Sequence, residues 1–225
     1  GLVAATGRVH FAGEPLGHLM ANGLVELTLY GRGEHEYVAT IRDIVLADIP
    51  EAVALLALDL AELYNLGVRR DTSADVLRRW AAEAEARLSP DEPCGLVFAF
   101  GRNDANTEDG RPRRSAAESL KTAHQLLTQG AARAPVLMVG PPPAEEPGLA
   151  ARLEGLNEAF KALCVRLRTP YIDVLRPLAV SGTWLAEARA GDGAHPGAAG
   201  YQQMAELIAA HPAWRRFTGL DGIPA

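Results

Sequence analysis

The stretch Gly95-Leu96-Val97-Phe98-Ala99-Phe100 is an unbroken apolar run that leads directly into Gly101-Arg102-Asn103-Asp104. A run of this length closed by a glycine predicts a strand buried on both faces, as strands are in a parallel sheet. Two similar runs, residues 135–140 and 170–174, predict two further strands of the same sheet. Polar residues that follow such strands are candidates for function, because the loops at the carboxyl ends of parallel strands carry the sites of α/β proteins.

Candidate helices alternate with these strands. Thr72-Ser73-Ala74-Asp75 is typical of a helix start, because a hydroxyl at this point caps free backbone N–H groups. Apolar residues between the strands recur every three or four positions, which is the pattern of helices packed on a core. The alternation predicts a single α/β domain, residues 1–225, with a mostly parallel sheet. The other predicted elements are strands at residues 8–12 and 63–66 and helices at residues 116–129, 149–167 and 198–210.

The composition is that of a globular chain of ordinary domain size. Its 225 residues are 48% hydrophobic and 22% charged, with a net charge of -6. An acidic balance argues against binding to nucleic acid or to an anionic membrane surface. No segment reaches the roughly 18 apolar residues of a membrane span, and no basic region followed by an apolar run opens the sequence. We therefore expect a cytoplasmic protein, although removal of a secretion signal would leave the same sequence.

Residues suited to redox or metal chemistry are sparse. Cys94 and Cys164 are too few for a disulfide framework, and each lies in an apolar segment where a reduced thiol acts as a small hydrophobe. No metal-ligand spacing and no dinucleotide fingerprint occur, so neither a metal nor a cofactor is expected. The cluster of Arg111, Arg113 and Arg114 is interpreted as part of a solvated loop.

The turn at residues 191–197 carries the first sign of chemistry, because it sets Asp192 three positions before His195, just ahead of the last predicted helix. A histidine can take up and return a proton near neutral pH, and an adjacent carboxylate orients its ring and favours the imidazolium. Taken alone, the pair would be interpreted as two solvated turn residues, as most such pairs in surface loops are. The turn gains weight because residues 13–16, 69–72 and 101–104 also follow predicted strands, and therefore share its edge of the sheet.

These loops resemble three sequence blocks of the SGNH hydrolase family, the GDSL-type esterases and lipases, over roughly residues 8–212. Residues 65–73 are similar to the second block, 101–104 to the third and 192–196 to the fifth. The resemblance implies a three-layer α/β/α sandwich with a flavodoxin-like sheet of about five strands. It also implies hydrolysis of acyl esters by a Ser-His-Asp mechanism. His195 then corresponds to the base, Asp192 to its orienting carboxylate and Asn103 to an oxyanion donor.

Two family positions are altered in this sequence. Gly13-Glu14-Pro15-Leu16 stands where the family has Gly-Asp-Ser-Leu, so Pro15 occupies the nucleophile position without a hydroxyl or a backbone N–H. Arg70 replaces the oxyanion glycine of the second block, and its positive charge would favour an anionic ligand. Ser73 is the nearest alternative nucleophile. Since Pro15 and Arg70 are 55 positions apart, residues 1–60 are interpreted as divergent or as containing an insertion.

Three interpretations follow. In the first, the chain retains some ester hydrolysis, with His195 activating water directly. In the second, it is a pseudoenzyme that binds a small acyl, glycosyl or anionic ligand, or a protein partner, without turnover. In the third, the first 60 residues are altered on an otherwise ordinary esterase. In the first and third interpretations the expected partner is a small-molecule ester, and no interpretation predicts the oligomeric state.

Overall fold

The computed structural model describes residues 2–6, 62–88 and 94–218, and its centre is a five-stranded sheet. The apolar runs form strands where the sequence predicts them, because side chains that are apolar on both faces must be covered on both sides. The predicted strand at residues 8–12 and the turn at 13–16 lie outside the described residues. The strands are β1 (Leu2–Thr6), β2 (Glu62–Asn65), β3 (Cys94–Ala99), β4 (Thr107–Glu108), β5 (Arg111–Pro112), β6 (Val136–Val139) and β7 (Tyr171–Ile172).

The sheet has the order β2-β1-β3-β6-β7, and β4 pairs with β5 in a separate hairpin. β3 and β7 both run parallel to β6, with Val97 opposite Leu137 and Val139 opposite Ile172. β1 runs antiparallel to both of its neighbours, so β2 points in the same direction as the three parallel strands. The expectation of a mostly parallel sheet of about five strands is thus confirmed, with β1 as the exception.

The helices that connect these strands begin at recognisable caps. Thr72 accepts a hydrogen bond from the Asp75 N–H while the Asp75 carboxylate accepts one from the Thr72 N–H, which forms a capping box. Ser115 and Glu118 form a second capping box. The helices are α1 (Ser73–Glu85), α2 (Arg102–Ala105), α3 (Ala116–Ala131), α4 (Pro147–Leu167), α5 (Leu175–Ser181), α6 (Thr183–Ala190), α7 (Ala198–Ala210) and α8 (Pro212–Phe217).

Alternate residues of the central strands face two separate apolar layers, as the period of two along a strand requires. Phe98 faces α1, α3 and α4, where its ring meets the Trp80 ring edge to face at 5.5 Å. Val97 faces the opposite layer, built from α5 to α8, which includes Trp184. The described part of the chain is therefore the three-layer α/β/α sandwich that the sequence predicts.

The thiol of Cys164 is fully buried in the first of these layers, with its Sγ 3.7 Å from the Sδ of Met138. Burial raises its pKa to about 12, because the thiolate would lose its hydration. Both cysteines are free, as expected from the sequence. Of the helices described, none is long and apolar enough to cross a bilayer.

Candidate active site

A cleft of about 810 Å³ opens at the carboxyl ends of the parallel strands. Its walls come from the loops after β2, β3 and β6 and from residues 191–197, hereafter the histidine loop. The structure thus brings four of the sequence-predicted residues to one cleft. Pro15, the fifth, lies outside the described residues. The four are Arg70, Asn103, Asp192 and His195.

Asp192 organises the histidine loop from within. One of its carboxylate oxygens accepts the N–H groups of Ala194 and His195 at 2.9 and 2.8 Å. The other lies 2.7 Å from Nδ1 of the His195 ring. These hydrogen bonds, that of the His195 side chain first, hold the pKa of Asp192 well below its usual range. An ionised carboxylate only accepts hydrogen bonds, so Nδ1 carries the proton and Nε2 of the neutral ring is left to act as a base.

The histidine loop is also held from outside. The N–H of Gly193, which has a φ of +78°, donates to the carbonyl of Ala188 at 2.8 Å. The carboxylate of Glu187 accepts the N–H of Gly200 at 2.6 Å, at the start of α7. From across the cleft, Nη2 of Arg102 donates to the Gly193 carbonyl at 3.3 Å. Contacts from Ala188 and Arg102 therefore hold the loop itself, and the Glu187 contact holds the start of the helix that follows it.

Residues 68–71 form a tight turn, closed by a 3.2 Å hydrogen bond from the Asp71 N–H to the Val68 carbonyl. Arg70 occupies its third position with a φ of +70°, a left-handed conformation that favours glycine. The backbone therefore keeps a glycine-type conformation although the side chain is arginine. The guanidinium pairs with Glu108 at 3.2 Å and is 71% exposed. Within the described ranges, no residue accepts a hydrogen bond from the Arg70 N–H.

Asn103 lies on α2 beside this turn and is tied to it. Its Nδ2 donates to the carbonyl of Asp71 at 2.9 Å, which uses one of the two amide hydrogens. The adjacent Asp104 is fully buried and accepts the N–H of Ser73 at 2.7 Å, so it joins α2 to the start of α1. The side chains of the third block thus fix the distance between two loops of the cleft.

Serine is missing from the cleft wall among the residues described. Ser73, the nearest alternative nucleophile by sequence, is fully buried at the start of α1 and does not line the cleft. Ser119 is also buried, and Ser115 and Ser181 make their hydrogen bonds elsewhere. The structure therefore does not bring Ser73 to His195.

Sequence reasoning missed several residues of the cleft and misjudged one cluster. Arg113 is not a solvated loop residue, because it lines the cleft and its Nη1 donates to the Arg70 carbonyl at 2.7 Å. Arg114, interpreted in the same way, donates to Thr122 at 3.1 Å. The Arg113 contact joins positions 43 apart in sequence, so no local pattern signals it. Tyr201 and Met204 were missed altogether, whereas Arg69 and Arg102 lie in loops that the sequence placed at this edge but were assigned no role there.

Trp184 of α6 also lines the cleft. Its ring is 3% exposed and meets the ring of Tyr201 edge to face at a centroid distance of 5.5 Å. The cleft thus combines an aromatic side from α6 and α7 with an arginine-rich side from the turn 68–71 and α2.

Comparison with solved structures finds the same fold in several esterases and lipases. A lipase/acylhydrolase from Enterococcus faecalis is 21% identical with a TM-score of 0.51, covering 67% of this chain and 72% of its own. A catalytic mutant of Axe2, an acetylxylan esterase from Geobacillus stearothermophilus, is 17% identical with a TM-score of 0.56, covering 72% and 74%. A lipolytic protein of the G-D-S-L family from Veillonella parvula is 19% identical with a TM-score of 0.51, covering 61% and 73%. At such identities the likeness shows the fold alone.

No curated protein matches the sequence. The model of the GDSL-like Lipase/Acylhydrolase family matches residues 47–203, which include the second, third and fifth blocks and begin after residues 13–16. This match spans more than half of the sequence, and the structures that share its fold include hydrolases of the same kind. The chain therefore belongs to the GDSL-like lipase/acylhydrolase family, the SGNH hydrolases.

Proposed function

We propose that the cleft hydrolyses carboxylic esters, with His195 as general base and water as the nucleophile. The observation that carries this proposal is the 2.7 Å contact between Nδ1 of His195 and the Asp192 carboxylate, in the cleft that Asn103 and Arg70 also line. An ionised Asp192 fixes the tautomer in which Nε2 can accept a proton, and it stabilises the imidazolium that results.

The reaction proceeds in two steps. Nε2 of His195 takes a proton from water while the water oxygen bonds to the ester carbonyl carbon. The resulting oxyanion accepts hydrogen bonds from the second amide hydrogen of Asn103 and from the Arg70 N–H. The intermediate then collapses, the C–O bond to the alcohol breaks, and the leaving oxygen takes the proton from the imidazolium. The products are the carboxylic acid and the free alcohol, and His195 is neutral again.

A second candidate function is binding without turnover. Pro15 occupies the nucleophile position, and none of the described serines lines the cleft. Residues 1–61 contain neither serine nor cysteine, so that part of the sequence supplies no substitute nucleophile of either kind. Loss of a triad nucleophile costs several orders of magnitude in serine hydrolases, and only slow hydrolysis is then expected.

Hydrolysis of p-nitrophenyl acetate by the wild type and the His195→Ala variant separates the two candidates. Free imidazole also cleaves such activated esters, so the matched control is His124→Ala, which removes an exposed histidine of α3 that does not line the cleft. We expect the rate to fall in His195→Ala and not in His124→Ala. A wild-type rate no higher than that of His195→Ala would reject hydrolysis and favour the binding function.

The nature of the nucleophile is tested with a serine-directed phosphonate probe. Water as nucleophile predicts no covalent labelling of the wild type. Labelling of any serine, located by mass spectrometry, would contradict this part of the proposal. Pro15→Ser, combined with Arg70→Gly if needed, should raise the rate and create a labelled site if only the first block is altered, and should change neither if the pocket has been remodelled.

A further inference from the structure

The cleft carries more positive than negative charge, once its ion pairs are taken into account. Arg70 pairs with Glu108 at 3.2 Å, and Arg113 approaches the same carboxylate at 3.6 Å. Asp192 pairs with His195. Asp71, the other cleft carboxylate, pairs with Arg79, which lies outside the cleft. Among the described residues, Arg69 and Arg102 are left in the cleft with no carboxylate within 4.0 Å, and of the two only Arg102 is partly buried.

Arg102 is held by neutral acceptors alone among the described residues. Its two Nη atoms donate to the Gly193 carbonyl and to the Asn106 side chain, both at 3.3 Å, and its Nε is buried without a described partner. Burial lowers the pKa of Arg102, and the nearby Asp192 and Tyr201 raise it by less than burial lowers it. A desolvated guanidinium without a counter-ion is costly, and an anion placed against it recovers much of that cost.

Arg102 lies between Asn103 and the histidine loop and contacts the loop directly. Arg102 directly precedes Asn103 in sequence, and its side chain contacts the histidine loop at Gly193. A guanidinium binds carboxylate and phosphate oxygens through a planar fork, which neutral groups do not match. An anionic group held there would lie beside the groups proposed to act on the ester.

We propose that Arg102 forms an anion-binding subsite, and that the preferred substrate is an ester carrying a carboxylate or phosphate group near its carbonyl carbon. The substrate class rests on the proposed function, whereas the binding of a small oxyanion does not. The sequence pointed to Arg70 as the attractive charge, but Glu108 already pairs with that side chain. Arg69 is exposed to solvent, so Arg102 is the partly buried cleft cation whose charge a ligand would neutralise.

Binding is measured first, by calorimetric titration of succinate and of inorganic phosphate at low ionic strength, where screening is weak. The wild type should bind at least one of the two, and Arg102→Gln should weaken that affinity by about tenfold or more. The matched control is Arg176→Gln, which removes an exposed arginine that pairs with Glu158 away from the cleft. Succinate binding selects a carboxylated ester and phosphate binding a phosphorylated one, and binding of neither overturns the subsite.

Hydrolysis then tests the substrate class. The ratio of kcat/KM for mono-p-nitrophenyl succinate over p-nitrophenyl acetate should fall by about tenfold in Arg102→Gln, with partial retention in Arg102→Lys. If Arg102 only positions the histidine loop, both esters slow equally and the ratio is unchanged, which overturns the proposed preference. If the wild type cleaves neither ester, the proposed function fails and the titrations alone decide the subsite. Circular dichroism of each variant establishes that it is folded.

Discussion

The two halves of the cleft are built in opposite ways. Asp192 and His195 are three positions apart in one loop, and their side chains are 46% and 57% exposed. Asn103 and the turn that holds Arg70 come from loops about thirty positions apart, joined by the Asn103 contact to Asp71 and by the buried carboxylate of Asp104. The half proposed for proton transfer is therefore local in sequence and is hereafter the local half. The half proposed to bind the oxyanion, hereafter the tertiary half, exists only when β2, α1 and α2 are packed together.

This difference shows which sequence changes each half can tolerate. The described hydrogen bonds of Asp192 all stay within the histidine loop, because their partners are only two or three positions away. The oxyanion half keeps the backbone form of a glycine turn although arginine occupies the position, because the contacts around Arg70 impose it. Both positions that the sequence resemblance interprets as altered, Pro15 and Arg70, fall outside the local half.

The largest expected effect is on the local half. Asp192→Asn leaves the size of the side chain unchanged but removes the charge that selects the Nδ1–H tautomer of His195 and stabilises its protonated form. We expect kcat/KM for p-nitrophenyl acetate to fall by roughly 10³-fold or more. A loss below about tenfold would mean that the pair is a turn structure and not a proton-transfer unit.

Asn103→Ala should have the next largest effect, because it removes a proposed oxyanion donor from the tertiary half. The expected loss is about 10²- to 10³-fold in kcat with little change in KM. Asn106→Ala is the comparison variant, since it removes a long 3.4 Å hydrogen bond to Asn103 and one acceptor of Arg102 but no proposed oxyanion donor. Equal losses in the two variants would argue that Asn103 shapes its helix and does not contact the transition state.

Asp104→Ala should act on the tertiary half by making the folded protein less stable. It leaves the buried N–H of Ser73 without an acceptor, which we expect to lower the free energy of unfolding by about 2–3 kcal/mol. Asp104→Asn keeps an oxygen in the same place and should lose less. Urea denaturation of both variants measures the difference, and equal destabilisation would indicate that the charge, not the hydrogen bond, is what matters.

A smaller effect separates the backbone of Arg70 from its side chain. Arg70→Gly and Arg70→Ala both remove the guanidinium, but only glycine is relaxed at a φ of +70°. Because the left-handed form costs other residues about 1–2 kcal/mol while glycine loses about 0.5–1 kcal/mol of chain entropy, we expect Arg70→Gly to be more stable by up to about 1 kcal/mol. If Arg70→Ala is the more stable variant, the turn is not strained by its side chain.

The smallest effect is the acid response of the histidine loop. The pKa of Asp192 is depressed in the folded state, chiefly by the His195 side chain, so its contribution to stability is present above the unfolded pKa of about 4 and is lost as pH falls through the folded value. Thermal unfolding from pH 6 to pH 2 should show a slightly smaller decline for Asp192→Asn than for the wild type. Parallel curves would mean that the hydrogen bonds of the Asp192 carboxylate contribute nothing to stability between pH 6 and pH 2.

Local structure was predictable from the sequence, and tertiary contacts were not. The apolar run at residues 95–100 predicts β3, because a strand that is buried on both faces is apolar at every position. The spacing of Asp192 and His195 predicts their contact. Arg102 and Arg113 could not be recognised, because their partners Gly193 and Arg70 are dozens of positions away. The short helices α5 and α6 escaped prediction since seven or eight residues hold too few repeats to reveal a period.

The burial of Cys164 gives the protein an internal reporter of its own opening. With a thiol pKa raised to about 12 and no exposed surface, Cys164 should not react with maleimide in the folded state, so the native chain takes up at most one equivalent, at the half-buried Cys94. A second equivalent can then enter only when the layer between the sheet and α4 separates. The rate at which that second label appears therefore reports the rate of this opening, and mass spectrometry can measure it without an introduced probe.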